Sequence, residues 1–197
     1  NGVRMEPTAI TRVETLDGKL VRDYTQTPGA QVVRPEHAYL MTSMLSDNEA
    51  RVKSFGRNNV LNLPFPAAAK TGTTNDYRDN LTMGYTPILA VGVWVGNNDN
   101  SEMQGVTGIT GAAPIWHDVM MKVLGDQPMR EFQRPAGIVD VEVCALTGRL
   151  PSPSCPRKVK EVFKTDQLPL PADEAIEKAV AAGNPNLAAA PVAPVAG

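Results

Sequence analysis

Within five residues, Lys70-Thr71-Gly72-Thr73-Thr74, the chain sets one ammonium, three hydroxyls and a glycine with no side chain. The apolar run Phe65-Pro66-Ala67-Ala68-Ala69 leads into it, so the cationic motif reads as part of a strand. Asn75 to Asp79 is a polar turn. Asn80 to Pro87 then reads as a second strand and Ile88 to Gly96 as a third. The spacing therefore predicts a cation and its neighbouring hydroxyls on one strand of an antiparallel set. The bland alternative is a solvated lysine on an edge strand, followed by threonines that sheets favour.

Other residue types with chemical potential carry less. His37 and His117 each sit alone on a predicted helix, with no acidic or cysteine partner at ligand spacing, so neither a triad nor a zinc centre is expected. Met41, Met44, Met120 and Met121 read as core filler, and Trp94 and Trp116 as core. Asn97-Asn98-Asp99 is explained by turn chemistry after the third strand.

Three ordered blocks, AAAKTGTTNDYRDN, MGYTPILAVGVWVGNND and GAAPIWHDVM, follow one another with short spacers. On these blocks, the stretch from about Pro35 to Leu124 resembles the C-terminal part of the transpeptidase domain of class A (bifunctional) penicillin-binding proteins. KTG belongs there to a motif set with S-x-x-K and S-D-N. The resemblance implies a peptidoglycan D,D-transpeptidase whose serine is acylated by a stem peptide, or by a β-lactam, and passes the acyl group to an amine. It implies that Lys70 turns positive potential towards the substrate carboxylate and that Thr71 and Thr73 offer it hydroxyls. Gly72 keeps the strand bare where the ligand approaches, and the Thr73 N–H is one oxyanion donor. Thr74 closes the substrate-binding set. No metal or organic cofactor is implied.

A serine needs a base close by before it is a useful nucleophile, and here the chain departs from the family. None of Ser43, Ser46, Ser54, Ser101, Ser152 and Ser154 has a lysine three positions later. The nucleophile is therefore expected in an S-x-x-K-bearing part of the same parent protein, upstream of Asn1, and the chain alone is expected to be inactive. Ser46-Asp47-Asn48 spells the second motif but stands only 24 residues before Lys70 (70 − 46), where the first helix runs out. It reads as a turn. Alternatives are another serine D,D-acyltransferase of the superfamily, a carboxypeptidase or β-lactamase, and a non-catalytic binding or regulatory module.

Around the motif, the elements follow from pattern. Asp17-Gly18 joins Thr8–Leu16 to Leu20–Tyr24 as a tight hairpin with two left-handed turn residues. Pro35 opens a helix to about Leu45, with Ala38, Leu40, Met41, Met44 and Leu45 as one buried stripe. Ile88 to Val95 reads as a central strand covered on both faces, and Gly84 and Gly92 as close helix approaches or bulges. After a loop over 97–111, Pro114 opens a helix whose stripe is Trp116, Val119, Met120, Val123 and Leu124, with Gly125 at its end. Val139, Val141 and Val143 alternate with acids as a half-exposed strand, paired with Lys158–Phe163.

The fold class is α/β (α+β): an antiparallel sheet carrying the KTG strand, flanked by helices, penicillin-binding/β-lactamase-like and incomplete. Residues 1–133 form the C-terminal part of the transpeptidase domain and 134–170 a small β appendage. Residues 171–197, rich in Ala and Pro, read as a disordered tail with a short helix over 174–182. The 197 residues, 42% hydrophobic, suffice for one sizeable core, and a net charge of −2 offers no basic face for nucleic acid. Starting at Asn1 without a methionine, the chain is expected to be a piece of a longer protein. By resemblance that parent is anchored to the membrane by an N-terminal segment, carries a glycosyltransferase domain and works on the extracytoplasmic face. Cys144 and Cys155 lack the further ligands that a metal asks for, and a disulfide suits that compartment, free thiols being the alternative.

Overall fold

The computed structural model describes residues 1–25 and 29–183. The expectation of disorder over 184–197 lies outside the described residues. Four short exposed strands open the chain: β1 (Val3–Arg4), β2 (Arg12–Glu14), β3 (Leu20–Asp23) and β4 (Ala30–Gln31), paired antiparallel as β1–β4 and β2–β3. The turn between β2 and β3 differs from expectation. Only Gly18 has a positive φ, 82°. The Gly18 N–H bonds the Thr15 carbonyl and the Thr15 N–H bonds the Lys19 carbonyl, both at 2.9 Å. This longer loop needs one left-handed residue, which glycine supplies, so Asp17 keeps an ordinary conformation.

Pro35 fixes its φ for a first helical position and opens α1 (Pro35–Ser46). The structure then adds a helix absent from the sequence reading, α2 (Asn48–Phe55), whose N-terminus is capped by the Asp47 carboxylate accepting from the Ala50 N–H at 3.0 Å. Within α1 the expected buried stripe is only partly buried. Ala38, Leu40 and Leu45 are half-buried, while Met41 and Met44 face solvent and fill no core.

Three antiparallel strands follow in the order β5 (Ala68–Thr73), β6 (Asp79–Tyr85) and β7 (Ala90–Gly96). β7 is an outer strand and not a central one. Its Val91 and Val93 pack on the core, while Trp94 is half exposed and Ile88 before it is also exposed. The apolar alternation of Ile88–Val95 thus overstates its cover, because a strand with one neighbour and one packed helix buries one face.

α3 (Ala112–Leu124) starts two residues before Pro114 and packs on β6 and β7. It buries Ala112, Ala113, Trp116, Met120 and Leu124, while Val119 and Val123 from the expected stripe remain exposed. Gly125 follows with right-handed φ/ψ, its N–H on the Met121 carbonyl. Trp116 is seated where Gly84 offers no side chain: a Cβ on Gly84 would lie 2.4 Å from the indole and 2.8 Å from the Ala68 carbonyl. Leu61, Ala67 and Ala69 close the same core.

The chain divides into two units at Arg134/Pro135. In the second, β8 (Ile138–Cys144) pairs antiparallel with β9 (Lys158–Lys164) along their whole length. Cys144 and Cys155 are joined as a disulfide with Cα atoms 5.9 Å apart. The short helix expected over 174–182 is α4 (Glu174–Ala181), capped by the Asp173 carboxylate. Its anchor is Glu177, 1% exposed, whose carboxylate accepts from the Ser152 N–H at 3.3 Å and from the hydroxyls of Ser152 and Ser154. A buried carboxylate supplied with three donors holds the helix in place.

Two stability measurements follow. Gly84→Ala should lower the unfolding free energy by roughly 1–3 kcal/mol through overpacking, read by denaturant titration on tryptophan fluorescence; an unchanged midpoint would show that Trp116 is free to yield. Glu177→Ala strands buried serine donors at a similar cost of about 1–3 kcal/mol. Far-UV loss on mild heating, or early proteolytic release of residues 174–183, would report it.

Candidate active site

A strand turns successive side chains to opposite faces, and this alternation divides the KTG motif. Lys70 and Gly72 share one face of β5; Thr71 and Thr73 share the other. On the first face Lys70 stands opposite Met83, and Gly72 opposite Leu81, which in turn faces Trp94. Lys70 is exposed, its Nζ donating to the Thr71 carbonyl at 2.5 Å. A Cβ on Gly72 would meet only Leu81 Cβ, at 3.7 Å, so the strand surface is open there. On the second face Thr71 stands opposite Thr82 and Thr73 opposite Asn80, both of the latter fully buried.

β5 is an outer strand, and its free edge has a defined polarity. The Thr74 N–H bonds the Asp79 carbonyl at 2.9 Å. By alternation of ladder bonds, the Thr73 N–H is turned to the unpaired edge. Further back along that edge, Arg51 of α2 reaches the Ala69 carbonyl at 3.5 Å and also donates to the Leu45 carbonyl and the Asn48 side chain. Burial pushes the Arg51 guanidinium below its ordinary pKa, with the Asp47 carboxylate opposing the shift.

The loop before α3 folds onto the threonine face. The Gly108 N–H donates to Thr73 Oγ1 at 3.1 Å, and Thr82 Oγ1 donates to the Gly108 carbonyl at 3.2 Å. The same carbonyl accepts from the Ala113 N–H at 2.8 Å. Because Gly111 at the start of α3 has no side chain to cap it, Asn80 Oδ1 takes the Ala112 N–H at 2.8 Å. Thr74 has a different task. Its hydroxyl donates to Asp79 Oδ2 at 3.2 Å and accepts from the Asp79 N–H at 2.8 Å, while Asp79 Oδ1 accepts from Trp94 Nε1 at 2.9 Å. Thr74 thereby closes the β5–β6 turn.

Sequence reading passed over Asp79, Asn80, Thr82 and Gly108. The available signal was the polar Asn80 and Thr82 alternating with the apolar Leu81 and Met83 along the strand. Ser46, Asp47 and Asn48 form the α1–α2 junction: Ser46 Oγ donates to the Ser43 carbonyl at 3.2 Å, and Asp47 caps α2. His117 Nδ1 donates to the Val60 carbonyl at 2.8 Å, and His37 is exposed. Among the described residues, Cys144, Cys155 and Glu177 could group around a metal, but the sulfurs are joined in the disulfide and Glu177 is engaged by Ser152 and Ser154. A cleft of about 660 Å³, lined by Thr42, Tyr85, Thr86 and Phe132 among others, lies at the end of the sheet away from Thr73.

Residues 134–170 match the domain family described as penicillin-binding protein 1A, C-terminal domain. The chain is 37% identical over 148 residues to the penicillin-binding protein 1A of Pseudomonas aeruginosa, covering 74% of this chain and 18% of that protein. It is 31% identical over 162 residues to the penicillin-binding protein 2D of Bacillus subtilis, covering 80% of this chain and 23% of that protein. The chain thus spans about a fifth of the length of these curated relatives. Among solved structures, penicillin-binding protein 1A from Haemophilus influenzae superposes with a TM-score of 0.70 at 25% identity, over 87% of this chain and 31% of that one.

Asn80 ties the sheet to α3. Asn80→Ala removes the acceptor for a buried helix N–H and should cost about 1–3 kcal/mol, measured by thermal melt; a wild-type melt would mean that water replaces the amide freely.

Proposed function

Since the chain belongs to the class A penicillin-binding proteins, as a C-terminal part of one, we propose that it supplies the substrate-holding strand of a peptidoglycan D,D-transpeptidase. The observation that carries this reading is the free edge of β5, onto which the Thr73 N–H is turned beside an exposed Lys70. A strand edge presents bare N–H groups to an extended peptide, which a stem peptide can line as an added strand. On this reading a serine from the preceding part of the parent attacks the D-Ala-D-Ala carbonyl. The Thr73 N–H bonds the oxygen as it gains charge, a contact whose loss typically costs about 10²–10³ in rate. Thr71 and Thr73 face the substrate carboxylate, and Lys70 holds positive potential across it and the proton-transfer path. The terminal D-Ala leaves, and a neighbouring amine takes the acyl group. A β-lactam enters the same path and stays on the serine.

The parent is proposed to be anchored at the extracytoplasmic face of the membrane; among the described residues no helix is long and apolar enough to cross one. Along the chain, the 134–170 domain then follows the transpeptidase portion. Since no serine of the chain has a lysine three positions on, the chain alone is read as incapable of acylation.

Both halves are testable. Fluorescent penicillin should leave no covalent band on this chain; a band lost on Ser46→Ala would move the chemistry to Ser46. In the full-length parent, Lys70→Ala should abolish most acylation with a nearly unchanged melt, because an exposed lysine contributes charge and little packing. Thr73→Pro should be severe through loss of the edge N–H. Parental acylation by Lys70→Ala would return the motif to an ordinary edge strand.

A further inference from the structure

We propose that Gly108 is a positioning residue of this site: its N–H, bonded to Thr73 Oγ1, turns the Thr73 hydroxyl proton towards the substrate carboxylate. The inference rests on the reading of the KTG strand above. A hydroxyl has one proton and two lone pairs, and the three neighbouring threonines use theirs differently. Thr82 gives its proton to the Gly108 carbonyl, and Thr74 gives its proton to Asp79. Thr73 accepts from Gly108 at 3.1 Å, and among the described residues no hydrogen bond uses its proton. With one lone pair engaged, the O–H is kept off the Gly108 direction and remains to donate elsewhere. An anion at the β5 edge is the ligand such a donor suits, and a pre-oriented donor loses less freedom on binding than a rotating one.

Gly108 itself is held from both sides, its carbonyl accepting from Thr82 Oγ1 and from the Ala113 N–H in the first turn of α3. Its approach requires glycine. A Cβ there would lie 2.7 Å from the Gly72 carbonyl, 2.8 Å from the Leu81 carbonyl and 2.9 Å from Thr71 Cβ, two strand carbonyls and a first side-chain carbon that cannot swing aside. Any side chain lifts the loop off the strand and withdraws the N–H from Thr73. Gly108 touches no substrate in this scheme; it acts through Thr73.

The test is a double-mutant cycle in the full-length parent, reading the second-order acylation rate with a carboxylate-bearing chromogenic β-lactam. Gly108→Ala and Thr73→Ala should each slow acylation about tenfold. The double variant should be no slower than Thr73→Ala alone, and Thr73→Ser should regain most of the rate and its sensitivity to Gly108→Ala. Should Gly108→Ala not fold, Thr82→Val takes its place, releasing the Gly108 carbonyl while keeping the buried volume. Additive losses would overturn the proposal and leave a purely structural glycine, as would a parental rate in both Gly108→Ala and Thr82→Val. Failure of the underlying reading is separate: there Lys70→Ala also acylates at the parental rate.

Discussion

The pairing of β5 with β6, Lys70 opposite Met83 and Thr73 opposite Asn80, is the constraint from which the rest follows. A strand has a period of two, so a slip of one residue would exchange every side chain between faces. The register is held at one end by Thr74 and Asp79, which exchange hydroxyl, amide and carboxylate bonds across the turn. At the other end Gly84 admits Trp116 against the sheet. A slipped strand would place the Met83 or Tyr85 side chain where the indole now sits. One packing contact and one polar turn therefore decide which edge groups face outward.

Polar residues placed inside an apolar core normally weaken it unless each finds a partner. Asn80 and Thr82 sit fully buried beneath the threonine face of β5, and both are bonded, Asn80 to the α3 N-terminus and Thr82 to Gly108. An apolar pair there would strand the buried Ala112 N–H and deprive the end of the 97–111 loop of its bond to the sheet through Thr82. The buried amide and hydroxyl thus convert the rigidity of α3 into the position of a loop lying against the KTG strand.

Much of the architecture was legible because it depends on local signals. Pro35, the apolar alternation of 138–144, and the polar turn between 73 and 80 each specify their element through backbone sterics or periodicity. Where sequence failed, the cause is tertiary. α2 is short and polar, so no periodicity marks it; its start is visible only as Asp47 capping a helix. The single left-handed residue of the β2–β3 turn reflects loop length, which the Asp-Gly dipeptide does not specify. At the candidate site, KTGTT reads as three equivalent hydroxyls, yet Thr73 and Thr74 have opposite hydrogen-bonding roles. That difference comes from Gly108 and Asp79, five or more residues away in sequence, and no local pattern contains it.

Several apolar side chains are less buried than the sequence implies. Met41, Met44, Trp94, Val119 and Val123 read as core from the sequence, and all lie exposed. α3 and β7 already bury another apolar face, through Trp116, Met120 and Leu124 on α3 and Val91 and Val93 on β7; α1, which carries Met41 and Met44, is at most half-buried. Apolar periodicity records every face that an element is able to bury, whereas one neighbour covers one face. On the sheet, Met83 and Trp94 lie on the same face as Lys70, opposite the one packed by α3. The lysine is therefore flanked by apolar side chains that are themselves exposed, with solvent over all three. Water screens an exposed ammonium, so its charge acts at full strength only on a group that displaces water from that face; an outer strand leaves the room for such a group that the middle of a sheet would not.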